Sequence, residues 1–162
     1  MAARPILNYP HPLLREPAQA VIRFDDALAQ LAADLLDTMR SVEGLGITAC
    51  HVGELLRVVV LQPGGPDSAR TYVNPQIVAS SSERIRHPEG SVSLPGVISE
   101  VERAARIRLT YQDLAGQPCT EEAEGLLAVC HQHEIDQLDG IFWLDRLSRL
   151  KRDRLLKRHR SR

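Results

Sequence analysis

The chain of 162 residues holds no apolar run approaching the roughly 20 residues that a membrane-spanning helix requires, so no membrane partner is expected. From Met1 to Pro10 there is no hydrophobic core followed by a small-residue cleavage site, and export is not predicted. Cysteine is sparse. Cys50, Cys119 and Cys130 make an odd number without framework spacing, which argues against a disulfide scaffold and for a reduced, cytoplasmic protein. Internal repeats and low-complexity segments are also lacking. The composition, 43% hydrophobic and 25% charged, is ordinary for a chain that buries one core. Acidic residues run short in one place. Between Arg146 and Arg162 stand nine Lys or Arg and a single acid, Asp153, although the chain as a whole has 20 basic and 21 acidic residues. The rest therefore carries 11 basic against 20 acidic groups, about −9.

What is present begins with a helix. Leu28, Leu31, Ala32, Leu35, Leu36 and Met39 recur at helical spacing and predict one face against a core. Asp25 or Asp26 can cap its start, because a short carboxylate accepts from free first-turn N–H groups, and Gly44 and Gly46 end it and open a turn. Runs rich in Val, Ile, Thr and Tyr follow at Arg57 to Leu61, Tyr72 to Ala79 and Ala104 to Tyr111, with Pro63-Gly64-Gly65-Pro66 as a surface turn. Asp113 to Gly116 reads as a hairpin connection into a strand over Pro118 to Glu124. A second helix is expected from Gly125 to Leu138, stopped by Gly140. A third, from about Ser148, carries Leu150, Leu155 and Leu156 on one side. The order is α+β and not alternating βαβ. The expected division is a body over residues 1–147 and a basic C-terminal helix over 148–162.

The second helix carries the chemistry. Leu126, Cys130, His133 and Gln137 share one face by their spacing. His133 to Gln137 is one residue away from His-Glu-x-x-His, in which two His four apart bind one metal ion and the Glu moves protons. The bland alternative is a core His satisfied by hydrogen bonds.

Three segments in order resemble the signature motifs of the peptide deformylase family. Gly44-Leu45-Gly46-Ile47-Thr48-Ala49-Cys50-His51 resembles Gly-x-Gly-hydrophobic-Ala-Ala-x-Gln, Glu89-Gly90-Ser91-Val92-Ser93 resembles Glu-Gly-Cys-Leu-Ser, and Gln132 to Leu138 resembles Gln-His-Glu-x-Asp-His-Leu. Tyr9 to Arg15 and Leu138 to Phe142 also look like family sequence. The resemblance implies an α+β fold of antiparallel strands around a central metal-motif helix, with a C-terminal helix. It also implies removal of the formyl group from the N-terminal methionine of new proteins, with Fe²⁺, Zn²⁺ or Ni²⁺ held by one Cys and two His. By position it makes Glu134 the acid/base, His133 a ligand, and the Val92 backbone N–H an oxyanion donor. Ser91 stands in the Cys position, Gln137 in the second His position, and His51 in that of the oxyanion Gln. Leu45, Gly46, Glu89, Gly90, Leu126, Val129 and Cys130 would line the pocket, a role that does not exclude core packing.

A hydroxyl and an amide hold a divalent ion far less well than a thiolate and an imidazole, so the expectation is no metal or a weakly bound one, and little or no deformylase activity. Two alternatives stay open. One is an active deformylase or amide hydrolase with a rebuilt site of His51 and His133, with His87 nearby; its rival at the same residues is a hydrogen bond between His51 and Gln137. The other is a non-catalytic peptide- or RNA-binding protein. Formylated or nascent peptide N-termini are the expected partners of the pocket, and ribosomal RNA that of the basic tail, whose plainer role is a solvated helix face.

Overall fold

A computed structural model describes residues 2–161. Met1, the start of the segment searched for an export signal, and Arg162, the last basic residue of the tail, lie outside them. Within these residues the strands are β1 (Gly46–Thr48), β2 (Val58–Leu61), β3 (Arg70–Ser80), β4 (Arg84–Ser91), β5 (Leu94–Ala104), β6 (Arg106–Gln112) and β7 (Pro118–Glu124). The helices are α1 (Asp26–Ser41), α2 (Gly125–Leu138) and α3 (Arg149–Arg160). One antiparallel sheet runs β1-β2-β3-β6-β7, and β4 pairs with β5 as a separate long hairpin. The architecture is α+β, as expected.

Asp25 caps α1, its carboxylate accepting the Leu28 N–H at 3.1 Å. The periodic stripe is the buried one: Leu28, Leu31, Leu35 and Met39 pack on Ile47, Val58 and Val60. All four residues of β2 are buried, which explains a continuous Val-Val-Val-Leu run where a half-exposed strand would alternate. α2 touches strands of both sheets. Gln132 fastens it to the end of β5, accepting from the Ala104 N–H and donating to the Ala104 carbonyl, both at 2.9 Å. Beyond α2 the chain turns at Gly140, as predicted. Its φ of +79° suits glycine, and a Cβ there would lie 2.5 Å from the Arg15 carbonyl oxygen. Phe142 and Trp143 then pack with Leu14, Val97 and Val101.

Two expectations need correction, and one pair of strands was not foreseen. Gly46 does not sit in a turn but opens β1, paired with Leu61. The hairpin β4–β5 is absent from the expected strands, since Pro88, Gly90, Pro95 and Gly96 punctuate it. Its residues alternate between exposed and covered positions along a two-stranded ribbon, so strong hydrophobic runs are not needed there. On α3, Leu155 and Leu156 lean on the Phe142 cluster, but Leu150 is 61% exposed, because positions five and six residues away lie on a different face. Ser148 caps this helix, accepting the Lys151 N–H.

Candidate functional site

α2, the segment leading into and out of β1, and the tip of the β4–β5 hairpin enclose a cavity of about 590 Å³. Leu45, Gly46 and His51 line it from one side, and Glu89, Gly90, Ser91 and Val92 from the hairpin. Leu126, Val129, Cys130, His133 and Glu134 come from α2, so the segments that the motifs single out do meet. Gly46 has a specific reason to be glycine: a Cβ would fall 2.6 Å from a carboxylate oxygen of Glu134. Gln137 is the exception. It is 2% exposed and does not line the cavity; its side-chain nitrogen donates to the Leu14 carbonyl at 2.7 Å. The expected His51–Gln137 hydrogen bond is therefore not formed, because a buried backbone carbonyl on the N-terminal segment claims the amide.

His133 is held from behind. Its Nδ1 lies 2.7 Å from a carboxylate oxygen of Glu89, which leaves Nε2 for the other side of the ring. Arg103 grips Glu89 with two bonds of 2.7 and 2.8 Å and reaches Asp136 at 2.6 Å. Arg146 closes the chain on Asp136 with bonds of 2.8 and 2.7 Å. Burial works to raise the Glu89 carboxyl, but the Arg103 and His133 hydrogen bonds outweigh it and hold the group down at about 2. Burial alone would lower His133; the charges of Glu134 and Glu89 raise it instead. Glu134 is pushed above the usual carboxylate range by burial and by the nearby Glu89 charge. Burial and Glu134 lift the Cys130 thiol to about 12, so it stays protonated.

His51 is 1% exposed. Burial, with the nearby His133, pushes it down to about 3 and keeps it neutral. Its Nδ1 sits 2.9 Å from the Thr48 backbone nitrogen, while its Nε2 and the Oε1 of Glu134 are buried without a hydrogen-bond partner among the described residues. The Ser91 hydroxyl accepts the Ser93 N–H at 3.0 Å. His87 stands at the cavity edge, its Nδ1 2.8 Å from the Pro88 carbonyl. Among the described residues no group of three His, Cys, Asp or Glu side chains is arranged to hold a metal ion.

Sequence reasoning missed the supports. Asp136 lay inside the quoted motif and Thr48 three residues before His51, a capping spacing that could have flagged it. Arg103 and Arg146 gave no signal, since nothing local ties them to α2. The apolar rim of Val42 and Ile98 was also missed.

A family model described as polypeptide deformylase matches residues 3–153. The chain belongs to the polypeptide deformylase family. It is 61% identical over 159 residues to a protein of Brucella suis named peptide deformylase-like, covering 98% of this chain and 97% of that one. It is 42% identical over 164 residues to another Brucella suis protein, named peptide deformylase, covering 99% and 94%. Its fold superimposes on a crystal structure of a peptide deformylase from Legionella pneumophila with a TM-score of 0.92 at 37% identity, over 98% of this chain and 94% of that one. The three segments quoted from the sequence thus fold, as family motifs should, into one pocket.

Proposed function

We propose that this member of the deformylase family keeps the fold and a peptide-sized pocket but has little or no metal-dependent deformylase activity. The observation that carries the proposal is the donor set at the ligand positions. One imidazole, His133, stands beside a Ser91 hydroxyl that accepts from Ser93, and the Gln137 amide nitrogen is committed to Leu14. A hydroxyl neutral at pH 7 is a poor ligand where a thiolate is a strong one, and an amide oxygen is weaker than an imidazole nitrogen. Zinc in finger peptides binds with about 10–16 kcal/mol across four ligands, so each replaced ligand weakens binding by several kcal/mol. The residues present do not fit Fe²⁺, Zn²⁺ or Ni²⁺. Glu134 without an ion has no activated water to deprotonate. Brucella suis has one relative named peptide deformylase and another named peptide deformylase-like, and the greater identity to the second supports the same reading. The expected ligands are formylated or nascent peptide N-termini, met in the cytoplasm. Metal analysis of purified protein together with a formyl-methionyl peptide assay tests this: metal well below one ion per chain and turnover at background are expected, and a stoichiometric ion with measurable turnover would refute it.

The reading extends to the tail over 148–162. Arg154, Lys157, Arg158 and Arg160 on α3 have no ion pair among the described residues, which leaves them available to phosphates. Deleting the residues after Leu150 is expected to abolish salt-sensitive binding to ribosomes or RNA; unchanged binding would remove the tail from the proposal.

A further inference from the structure

With Ser91 in the Cys position, the cavity wall presents a carboxylate, an imidazole and a hydroxyl side by side. Glu89 takes the Nδ1 of His133 at 2.7 Å, and a carboxylate can only accept, so Nδ1 carries the ring proton. In the neutral imidazole the lone pair is then on Nε2, which has no hydrogen-bond partner among the described residues. The Ser91 oxygen accepts the Ser93 N–H at 3.0 Å, and its own hydrogen is donated to no group among the described residues. Both side chains reach the cavity: Ser91 is half-buried, and the His133 side chain is 11% exposed. Carboxylate, imidazole and hydroxyl are the orienting group, base and nucleophile of serine hydrolases, a constellation recognised by roles and not by chain order. The orienting group is firmly held. The Glu89 side chain is 4% exposed, and Arg103 grips both its oxygens at 2.7 and 2.8 Å, so it cannot swing away from His133. No hydrogen bond joins Ser91 to His133 in the resting chain; contacts between nucleophile and base are commonly long until a ligand closes them.

We propose that Ser91, His133 and Glu89 form a metal-independent acyl-transfer site that hydrolyses small apolar carboxylic esters. Ser91 is the nucleophile, His133 the base and Glu89 its positioning residue. The Ser91 oxygen bonds to the ester carbonyl carbon while its hydrogen passes to His133 Nε2. The carbon–oxygen bond to the alcohol then breaks, and the alcohol leaves with that hydrogen. Water attacks the acyl-serine and gives one hydrogen to Nε2; the acid departs, and the hydrogen returns to Ser91. The Ser93 N–H steadies the negative charge that builds on the Ser91 oxygen. Val92 lines the cavity directly after Ser91, the position from which serine hydrolases draw an oxyanion N–H. Esters are favoured over amides because no cation polarises the carbonyl and an alcohol leaves more readily than an amine. Leu45, Leu126 and Val129 supply an apolar wall that selects an apolar acyl chain. The proposal rests on the metal-poor reading above, since an ion at this wall would occupy the Nε2 lone pair.

The experiment treats the full chain with a chelator and then with a fluorophosphonate, and follows the hydrolysis of p-nitrophenyl butyrate alongside. A single phosphonyl group is expected on Ser91, located by peptide mass spectrometry, with ester turnover falling in step with labelling. Ser91→Ala loses both the label and the turnover. His133→Gln lowers kcat roughly a hundredfold or more, as removal of a general base does. Glu89→Gln lowers kcat with KM nearly unchanged, and Glu89→Asp recovers part of the loss, a split that a merely structural role would not produce. Label on another residue, no label at all, or turnover that survives in Ser91→Ala overturns the proposal. The site of labelling in the wild type decides it even where a variant does not fold. Metal analysis of the untreated protein keeps the two readings apart: a stoichiometric ion sinks the metal-poor one, while labelling of Ser91 under chelator is read independently.

Discussion

Ser91→Cys combined with Gln137→His is expected to convert a metal-poor protein into one that binds close to one divalent ion per chain. A neutral hydroxyl becomes a thiolate and an amide becomes an imidazole, and each exchange strengthens binding by several kcal/mol, so the affinity gain spans several orders of magnitude. The surroundings favour the change because the outer contacts that orient metal-bound imidazoles are in place. Glu89 already holds the Nδ1 of His133 at 2.7 Å, and the Leu14 carbonyl, now taking the Gln137 amide at 2.7 Å, is set to take a ring N–H from a histidine at that position. Equilibrium dialysis against Zn²⁺, or metal analysis after purification, measures the effect. Each single substitution should recover only part of it. A double variant that stays metal-free would mean that the hairpin and α2 no longer approach closely enough for a common ion, and the coordination argument would fall with it.

Arg103→Met is expected to destabilise the chain by about 3–5 kcal/mol, because it removes the guanidinium that pairs the buried Glu89 carboxylate. The side chains of Arg103 and Glu89 are each 4% exposed, so water does little to replace the lost contacts. Asp136 keeps Arg146; Glu89 keeps only His133. For a domain of this size the loss lowers the melting temperature by roughly 10 °C or more. Adding Glu89→Gln should recover part of the loss, since the unpaired charge is then removed as well. The pH dependence follows from the same pair. Glu89 has an ordinary value of 4.5 and is held at about 2 in the fold, so its contribution is present above about 4.5 and is lost as pH falls toward 2. Arg103→Met should flatten that acid limb. Thermal melts between pH 7 and pH 3 would show it, and an unchanged melting temperature at pH 7 would remove Arg103 as the support of His133.

Much of the candidate site could be read from local spacing. The residues that line the cavity stand in three short segments, and the α2 face that presents Cys130 and His133 follows from helical periodicity. Gln137 shares that periodicity yet turns away, since side-chain direction at the end of a helix depends on which distant backbone atom lacks a partner. The N-terminal segment supplies that atom from 123 positions earlier in the chain. The hairpin β4–β5 escaped for a related reason. Glu89 is the buried residue of β4, and a charged residue is buried only where a partner such as Arg103, 14 residues on, arrives from the other strand.

Amphipathic spacing, caps and glycine stops determined by themselves the positions of α1 and α2, strands β2, β3, β6 and β7 of the larger sheet, and the identity of the side chains available to a metal. These features depend on interactions within a few residues, so the order of amino acids suffices to state them. Only the tertiary structure decided that Arg103 and Arg146 buttress Glu89 and His133, that Leu14 takes the Gln137 amide, and that Gly46 must leave room for Glu134. Such facts depend on which buried donor meets which buried acceptor once distant segments pack, and desolvation makes each of those pairings obligatory.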